Sequence, residues 1–416
     1  MIRIHRGFVS DLSGRSLLST EIEVDNQKKP ILVSVEKEYG KFLSPERADY
    51  ALVGLLAYAM RNKHDIICEA PVTDELLYKI REILIPTLVR TDRRNYPVKI
   101  QADMAPPLDK LLFASNAHGG VGTGFSCGVD SFYTVLKYVN SPYPAQNLTH
   151  LCVFNIGAIN NCYGAENIPR VKQTVFTRAE AMSKKVKLPL LKLESNFQDV
   201  FPQDHYRSHT YMDALAIYAL QKLWRIYYYS SSNFYGEFSL KENMDNPPGY
   251  FEPFLLDCFS TSKLKIFSAG SECDRLDKIY LLSENPLVQN HLHVCTKEEN
   301  NCGRCEKCIR TLLALDALGK LNKFGAVFDL NAYSKNRSKI YVFLYNQFIL
   351  NHNPVYSKIF SILSNRHKKF FADLDATIKA QIAAQAQAKT QAQAKVAPQA
   401  QAQARIATKV GTQVVR

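Results

Sequence analysis

The 416-residue chain has no apolar run approaching the roughly 18–20 residues that a membrane-spanning helix requires. The longest candidate, Ala51–Met60, is about half that length and runs into Arg61. The N-terminus begins Met1-Ile2-Arg3-Ile4-His5-Arg6-Gly7 and lacks the apolar core of a secretory signal. No repeat of roughly 20–50 residues is visible. No G-x-x-x-x-G-K-[ST] segment is present, and Gly119, Gly120, Gly122 and Gly124 do not have G-x-G-x-x-G spacing. These absences argue against a membrane protein, a solenoid, a Walker-type nucleotide site and a dinucleotide-binding loop. The expectation is a soluble cytoplasmic protein with no membrane partner.

What is present is ordinary in bulk. Hydrophobic residues make up 46% and charged residues 22%, enough for one large core or two domains. The formal charge is +13. Six basic residues between Lys379 and Arg416, with no acid among them, supply +6 and leave +7 for the body. That balance suits an ATP-binding enzyme as well as a nucleic-acid binder, so a nucleic-acid partner stays open.

The pattern along the chain divides into four segments. Residues 1–112 read as a small α+β domain: Pro30–Glu36 as a strand, a helix through Tyr50–Met60 capped at Ser44 ahead of Pro45, a strand at Asp65–Glu69, a helix over Thr73–Leu84 and a strand at Tyr96–Ala102. Residues 113–318 alternate apolar strands with helices: a helix from Tyr133, a strand at Leu148–Asn155, a helix over Phe176–Val186, a strand at Leu188–Leu193 and a long helix over 211–228. Buried strands alternating with helices predict an α/β fold, a parallel sheet with helices on both faces. Residues 319–371 read as a helical extension. Residues 372–416 are an Ala/Gln-rich, low-complexity tail with high helix propensity and no apolar face.

Ser126-Cys127-Gly128-Val129-Asp130-Ser131 stands between a glycine-rich approach and an apolar helix. A helix N-terminus offers free N–H groups and partial positive charge to a phosphate. Gly128 lets the backbone approach an oxyanion, and Ser126 and Ser131 offer hydroxyls. Asp130 would hold the loop or a Mg²⁺ ion. A capped helix after a turn is the plainer reading of such a stretch taken alone.

Ten cysteines are present, four of them within fourteen residues: Cys295, Cys302, Cys305 and Cys308. Their C-x₆-C-x₂-C-x₂-C spacing can close a tetrahedral zinc site, with Gly303 permitting the tight turn between ligands. Arg304, Lys307 and Arg310 would offset a tetrathiolate charge. An iron–sulfur cluster and a catalytic redox pair remain alternatives.

The loop resembles the Ser-Gly-Gly-x-Asp-Ser signature of the PP-loop ATP pyrophosphatases, with Cys127 in place of the first glycine. Followed by the cysteine cluster and an arginine, it is similar to the 7-cyano-7-deazaguanine synthase family over roughly residues 120–318. The resemblance implies a PP-loop, HUP-like fold. It implies ATP held by Ser126–Ser131 with Mg²⁺, and a structural zinc on the four cysteines. It also implies a ligase that adenylates a small-molecule carboxylate, releases pyrophosphate and then AMP, and uses ammonia to make an amide or nitrile. Asp130 and Ser131 would act in catalysis. Residues 1–112 and the C-terminal region have no counterpart in that family. A sulfur-transferring enzyme acting on a nucleobase or tRNA is the nearest alternative. A non-enzymatic zinc-bearing nucleic-acid-binding or scaffold protein is the other.

Asn155, at the end of the second strand of the α/β segment, is a candidate nucleotide contact, because ligands of doubly wound sheets sit beyond strand carboxyl ends. His205 and His209 are one helical turn apart and could bind a metal or act as acid–base groups, while the plainer reading is solvated residues at a helix entry. In the resembled family a basic residue near Arg275 and Lys278 could reach ATP or the substrate, while the plainer reading is a solvated helix face; Tyr227–Tyr229 could stack on a base, while the plainer reading is core packing. A homodimer is compatible with all of this.

Overall fold

In the computed structural model, residues 1–112, 119–157, 168–242 and 246–388 are described. Cys162 and the tail beyond residue 388 lie outside these. The chain divides into two units, Met1–Asn331 and Ala332–Arg416.

The first unit is mixed α/β. Its N-terminal part runs β1 (Ile2–Ile4), β2 (Phe8–Leu12), β3 (Arg15–Val24), β4 (Gln27–Glu36), α1 (Asp49–Asn62), β5 (Ile66–Cys68), β6 (Val72–Thr73), α2 (Asp74–Tyr78), α3 (Ile85–Thr91), β7 (Ile100–Gln101) and β8 (Met104–Ala105). The remainder runs β9 (Gly120–Gly124), α4 (Val129–Tyr138), β10 (His150–Asn155), α5 (Ile168–Val186), β11 (Leu190–Ser195), α6 (Phe197–Val200), α7 (His205–Ala219), β12 (Trp224–Ser230), α8 (Pro248–Cys258), β13 (Lys265–Ala269), α9 (Arg275–Leu282), α10 (Pro286–His291) and α11 (Glu306–Ala317).

One 11-stranded sheet has the order β13-β12-β9-β10-β11-β4-β3-β1-β5-β7, with β2 paired to β3. The β13-to-β11 half is parallel throughout. The parallel sheet expected for residues 113–318 is present, but strands of residues 1–112 continue it: β4 joins β11 antiparallel, and β3 and β1 continue antiparallel. Residues 1–112 thus extend the sheet of the α/β segment. Only Glu194↔Ser34 and Ser195↔Val33 pair across that seam, so side chains reinforce it. Asn196 Oδ1 accepts from Leu32 N at 2.8 Å, and its Nδ2 donates to Pro30 O at 3.0 Å. Arg15 Nη2 donates to Lys192 O at 3.1 Å. Residues from both segments also share one buried apolar cluster, from Ile2 through Ile266.

Helices cover both faces of the parallel half. Successive strand residues point to opposite faces. Tyr228 stacks on Tyr138 of α4 at 3.9 Å between centroids, while Tyr229 OH lies 2.8 Å from His209 Nδ1 of α7. Trp224 packs flat over β9, where a Cβ on Gly122 would come within 2.7 Å of the ring. Only glycine admits the indole there.

Three local expectations are corrected. The helix expected over 211–228 ends at Ala219, and β12 begins at Trp224. The run Trp224–Ser230 is aromatic and β-branched, a composition that fits a pleated surface buried on both sides. Ser44 does not cap α1, which starts at Asp49 with no side-chain cap. Asp49 instead accepts from Thr73 N, Thr73 Oγ1 and Gln221 Nε2 at 2.7, 2.6 and 2.9 Å, tying α1 to the turn before β12. The strand expected over Tyr96–Ala102 shortens to Ile100–Gln101.

The second unit is helical, as expected for residues 319–371. α12 (Leu330–Tyr345), α13 (Ser357–Arg366) and a helix over 368–388 pack through aromatic rings, Tyr341 against Phe371 at 5.5 Å and Phe360 against Phe371 at 5.3 Å. Among the described residues no helix is long and apolar enough to cross a membrane.

Candidate active site and metal centre

The parallel half reverses its winding at β9, which has β10 on one side and β12 on the other. In open α/β sheets the crevice beyond the strand carboxyl ends at such a point is where ligands bind. Residues 125–128 leave β9 at that end and enter α4. Phe125 N donates to Cys152 O at 2.7 Å, hooking the loop to β10. Cys127 has φ +61°, a left-handed conformation that costs a non-glycine residue about 1–2 kcal/mol. This is the position at which the resembled motif carries glycine. Cys127→Gly should therefore leave melting temperature and any ATP cleavage within about 1 kcal/mol of the parent, since relief of strain offsets loss of a buried thiol. A thermal melt with a turnover assay checks this.

Gly128 is the N-cap of α4, and no side chain caps the helix. The first-turn N–H groups are thus left to a ligand or water. Ser126 Oγ accepts from Gly128 N and lies 3.3 Å from Ser131 Oγ, which donates to Gly128 O at 3.2 Å. The hydroxyls bracket the loop mouth. Asp130 points elsewhere. Arg275 Nη1 donates to its Oδ2 at 3.0 Å and Lys278 Nζ to its Oδ1 at 3.2 Å. Lys278 also donates to Ser231 O at 2.6 Å, and its side chain is 1% exposed. Burial opposes the charge on Asp130, but the two cations outweigh it and hold the carboxyl below its usual range. Arg275 and Lys278 are therefore not a solvated face. Because both carboxylate oxygens are occupied by cations, Asp130 fits a loop anchor and not an open Mg²⁺ ligand.

A cavity of about 400 Å³ opens beyond the loop. Ser126 and Gly128–Ser131 line it, with Cys152–Phe154 of β10, and Tyr227, Tyr229 and Ser230 of β12. Arg178, Arg275 and Lys307 bring positive charge, and Asp213 a further carboxyl. His293 Nε2 and Arg275 Nε are buried without a hydrogen-bond partner, and both residues line the cavity. Buried polar groups are normally paired, so a polar occupant is the natural complement. Asn155 does not line the cavity; it pairs with Glu194 across β10 and β11. Cys127 is buried beneath the loop, its thiol pushed up to about 12 by that burial.

Asp213, Arg178, His293 and the tyrosines are site residues that sequence reasoning missed or assigned to packing. Asp213 has no hydrogen-bond or ionic partner among the described residues, and burial lifts its carboxyl to about 7. Nearby Glu252, 2% exposed, accepts from Ser268 Oγ at 2.5 Å and is likewise lifted to about 7 by burial. His209 is not a solvated helix-entry residue; burial depresses it to about 4 and it pairs with Tyr229.

The four cysteines come together. Their Sγ atoms all lie within 4.8 Å of one another, with Cys295–Cys305 and Cys302–Cys308 at 3.9 Å. A tetrahedron with Zn–S of about 2.3 Å has edges of about 3.8 Å. Gly303 takes φ +66° in the Cys302–Cys305 turn, and Cys305 N donates to Cys302 Sγ at 3.3 Å. Lys297 N and Glu298 N donate to Cys295 Sγ at 3.4 and 3.3 Å. Such N–H donors stabilise a thiolate. The cluster fits one metal ion such as zinc. Asn301 sets its approach: its Oδ1 accepts from Val294 N at 2.8 Å, and its Nδ2 donates to Leu292 O at 2.8 Å. His293 N donates to Cys127 O at 2.8 Å, which couples the cysteine segment to the loop before α4. Cys295 also lines the cavity.

No family model matches the chain, and no curated protein or solved structure matches it.

Proposed function

We propose that the cavity binds ATP and that the chain is an AMP-forming ligase of the PP-loop type. The observation that carries this reading is the uncapped N-terminus of α4 facing a cavity with Arg178, Arg275 and Lys307 on its walls, at the reversal point of the parallel strands. Helix N–H groups and fixed cations are what a polyphosphate requires.

In this reading the ATP phosphates lie on Ser126–Ser131, and Mg²⁺ accompanies them. A substrate carboxylate oxygen attacks the α-phosphorus, and the bond to pyrophosphate breaks. An amine, ammonia in the simplest case, then attacks the acyl carbon and AMP leaves with the bonding electron pair. The amine must lose a proton in that step. Asp213 is the cavity's open carboxyl, and it takes the proton. Zinc on Cys295, Cys302, Cys305 and Cys308 would hold the cysteine segment against the loop and supply no chemistry to the reacting atoms.

Sulfur transfer requires a low-pKa thiol outside the metal cluster. Cys127 and Cys152 are the cysteines nearest the loop, and burial raises both. That favours ligation over thiolation.

Incubation with ATP, ammonia and a panel of carboxylates should release AMP and pyrophosphate. Release of ADP and phosphate, or no turnover with any carboxylate, sinks the reading. The rate should climb as pH rises through about 7, because Asp213 must be ionised to accept a proton. Asp213→Asn should lose 10²–10⁴-fold in product formation, roughly the yield of a general base, and should flatten that limb, while pyrophosphate exchange survives. An unchanged pH profile in the variant removes Asp213 from the mechanism.

A further inference from the structure

The chain's charge is not spread over it. Residues 332–416 hold thirteen Lys and Arg against Asp373 and Asp375, a net +11, which leaves +2 for residues 1–331. The boundary of the second compact unit is therefore also the boundary of the chain's basicity. Eight of these basic residues lie within 332–388, and all but Arg337 are exposed. Lys335, Lys339, Lys368 and Lys369 make no ion pair among the described residues.

The lysines lie on helices whose buried residues are apolar and aromatic. α12 buries Tyr333, Ile340, Tyr341, Leu344 and Tyr345. Lys335 and Lys339 are one helical turn apart on the face away from them, about 6 Å along the axis. Alternate phosphates of one nucleic-acid strand are separated by about 7 Å of axis. An interfacial membrane helix would need an exposed apolar stripe. The exposed large apolar residues among those described here, Leu350, Val355 and Ile382, lie on three different elements and form no stripe along one helix. A protein partner would be anchored by buried aromatic or arginine hot spots, and this unit's rings are turned inward.

We propose that the helices of residues 332–388 present a nucleic-acid-binding surface that grips the phosphate backbone through Lys335, Lys339, Lys368 and Lys369. Nucleic-acid binding by these lysines does not depend on what the cavity of the first unit binds. Sequence readout is not expected, because the contacts are point charges on phosphate.

The test uses the full chain and a labelled single-stranded RNA of about 30 nucleotides, with duplex DNA of similar length as a second arm, titrated over a range of salt concentrations. Binding should weaken steeply with salt. The combined variant Lys335→Gln, Lys339→Gln, Lys368→Gln, Lys369→Gln should bind on the order of tenfold or more weakly, with the log–log salt slope on RNA smaller by about 3, at roughly 0.7 per lost phosphate contact. ATP cleavage, where present, should not change. No binding by the parent chain at low salt overturns the proposal. So does a variant with the parental slope, or binding of phosphatidylserine vesicles or polyglutamate as tight as that of RNA. Comparison of the RNA and duplex arms assigns the strandedness of the ligand.

Discussion

Cys308→Ser should yield protein without bound metal and with a melting temperature at least 5 °C below the parent. Cys308 is fully buried at the first turn of α11, so the lost ligand cannot be replaced by solvent without opening the turn. Structural zinc contributes about 10–16 kcal/mol of folding energy in small zinc peptides. A unit of 331 residues with its own sheet draws on that less. Even a third of the smaller figure, about 3–4 kcal/mol, shifts the midpoint by about 5 °C at roughly 0.7 kcal/mol per kelvin for this length. The effect should reach the cavity, because the His293 N to Cys127 O bond ties the cysteine segment to the loop. Treatment with a strong chelator, followed by its removal and restoration of Mg²⁺, should therefore abolish ATP cleavage in proportion to the cysteine-bound metal lost. Metal analysis giving one zinc and no iron per chain separates this cluster from an iron–sulfur centre. Retention of full thermal stability after complete metal loss would show that the cluster does not hold the loop.

Some features of the site are visible from sequence because they are local. Four thiolates around one ion need short spacings, and C-x₆-C-x₂-C-x₂-C can hardly place them anywhere else. The loop is local too: Gly128 and its serines meet a helix start within six residues. The partners of those elements are not local. Asp130 and Lys278 are 148 residues apart, and Arg275 and Lys278 have the spacing of any solvated helix face until α9 is packed against α4. Asp213 reads as an ordinary polar residue within α7, and nothing in the sequence says that its turn faces the cavity. Among the N-terminal strands, β3 alternates faithfully in burial but places Ser16 and Thr20 on the inner face, which hides the period-two pattern. Residues 1–112 and 113–318 read as separate segments, yet β4 pairs with β11 and one core runs through both. Sheet order is a long-range property that local pattern does not encode. The α7–β12 boundary was hidden because no glycine or proline punctuates Leu220–Trp224, leaving a helical and an aromatic run to read as one.

Asp130→Ala should cost about 3–5 kcal/mol of stability and all measurable ATP cleavage, and Asp130→Asn should retain more of the first than of the second. Removing one partner of a buried pair leaves the other charge uncompensated, and Lys278, 1% exposed, keeps a hydrogen bond to Ser231 O and the Tyr133 ring at 5.8 Å but, among the described residues, no carboxylate in an ion pair with it. Arg275 is less buried and can reach solvent, so Lys278 dominates the loss. The same pair fixes the pH response. The Asp130 carboxyl is held below its unfolded value of about 3.9, so its ionic contribution is fully present above pH 4 and is lost as pH falls through the lower folded value. Acid unfolding of the parent should therefore begin below pH 4, and the Asp130→Asn variant should lack that part of the acid limb. In the proposed reaction the ion pair would aim Arg275 and set the first turn of α4 toward the ATP phosphates. Lys278→Met, which replaces the buried cation by an apolar chain of similar length, should restore much of the stability to Asp130→Asn and none of the turnover. If the double variant cleaves ATP at the parental rate, Asp130 and Lys278 only hold the fold, and the phosphate site lies elsewhere.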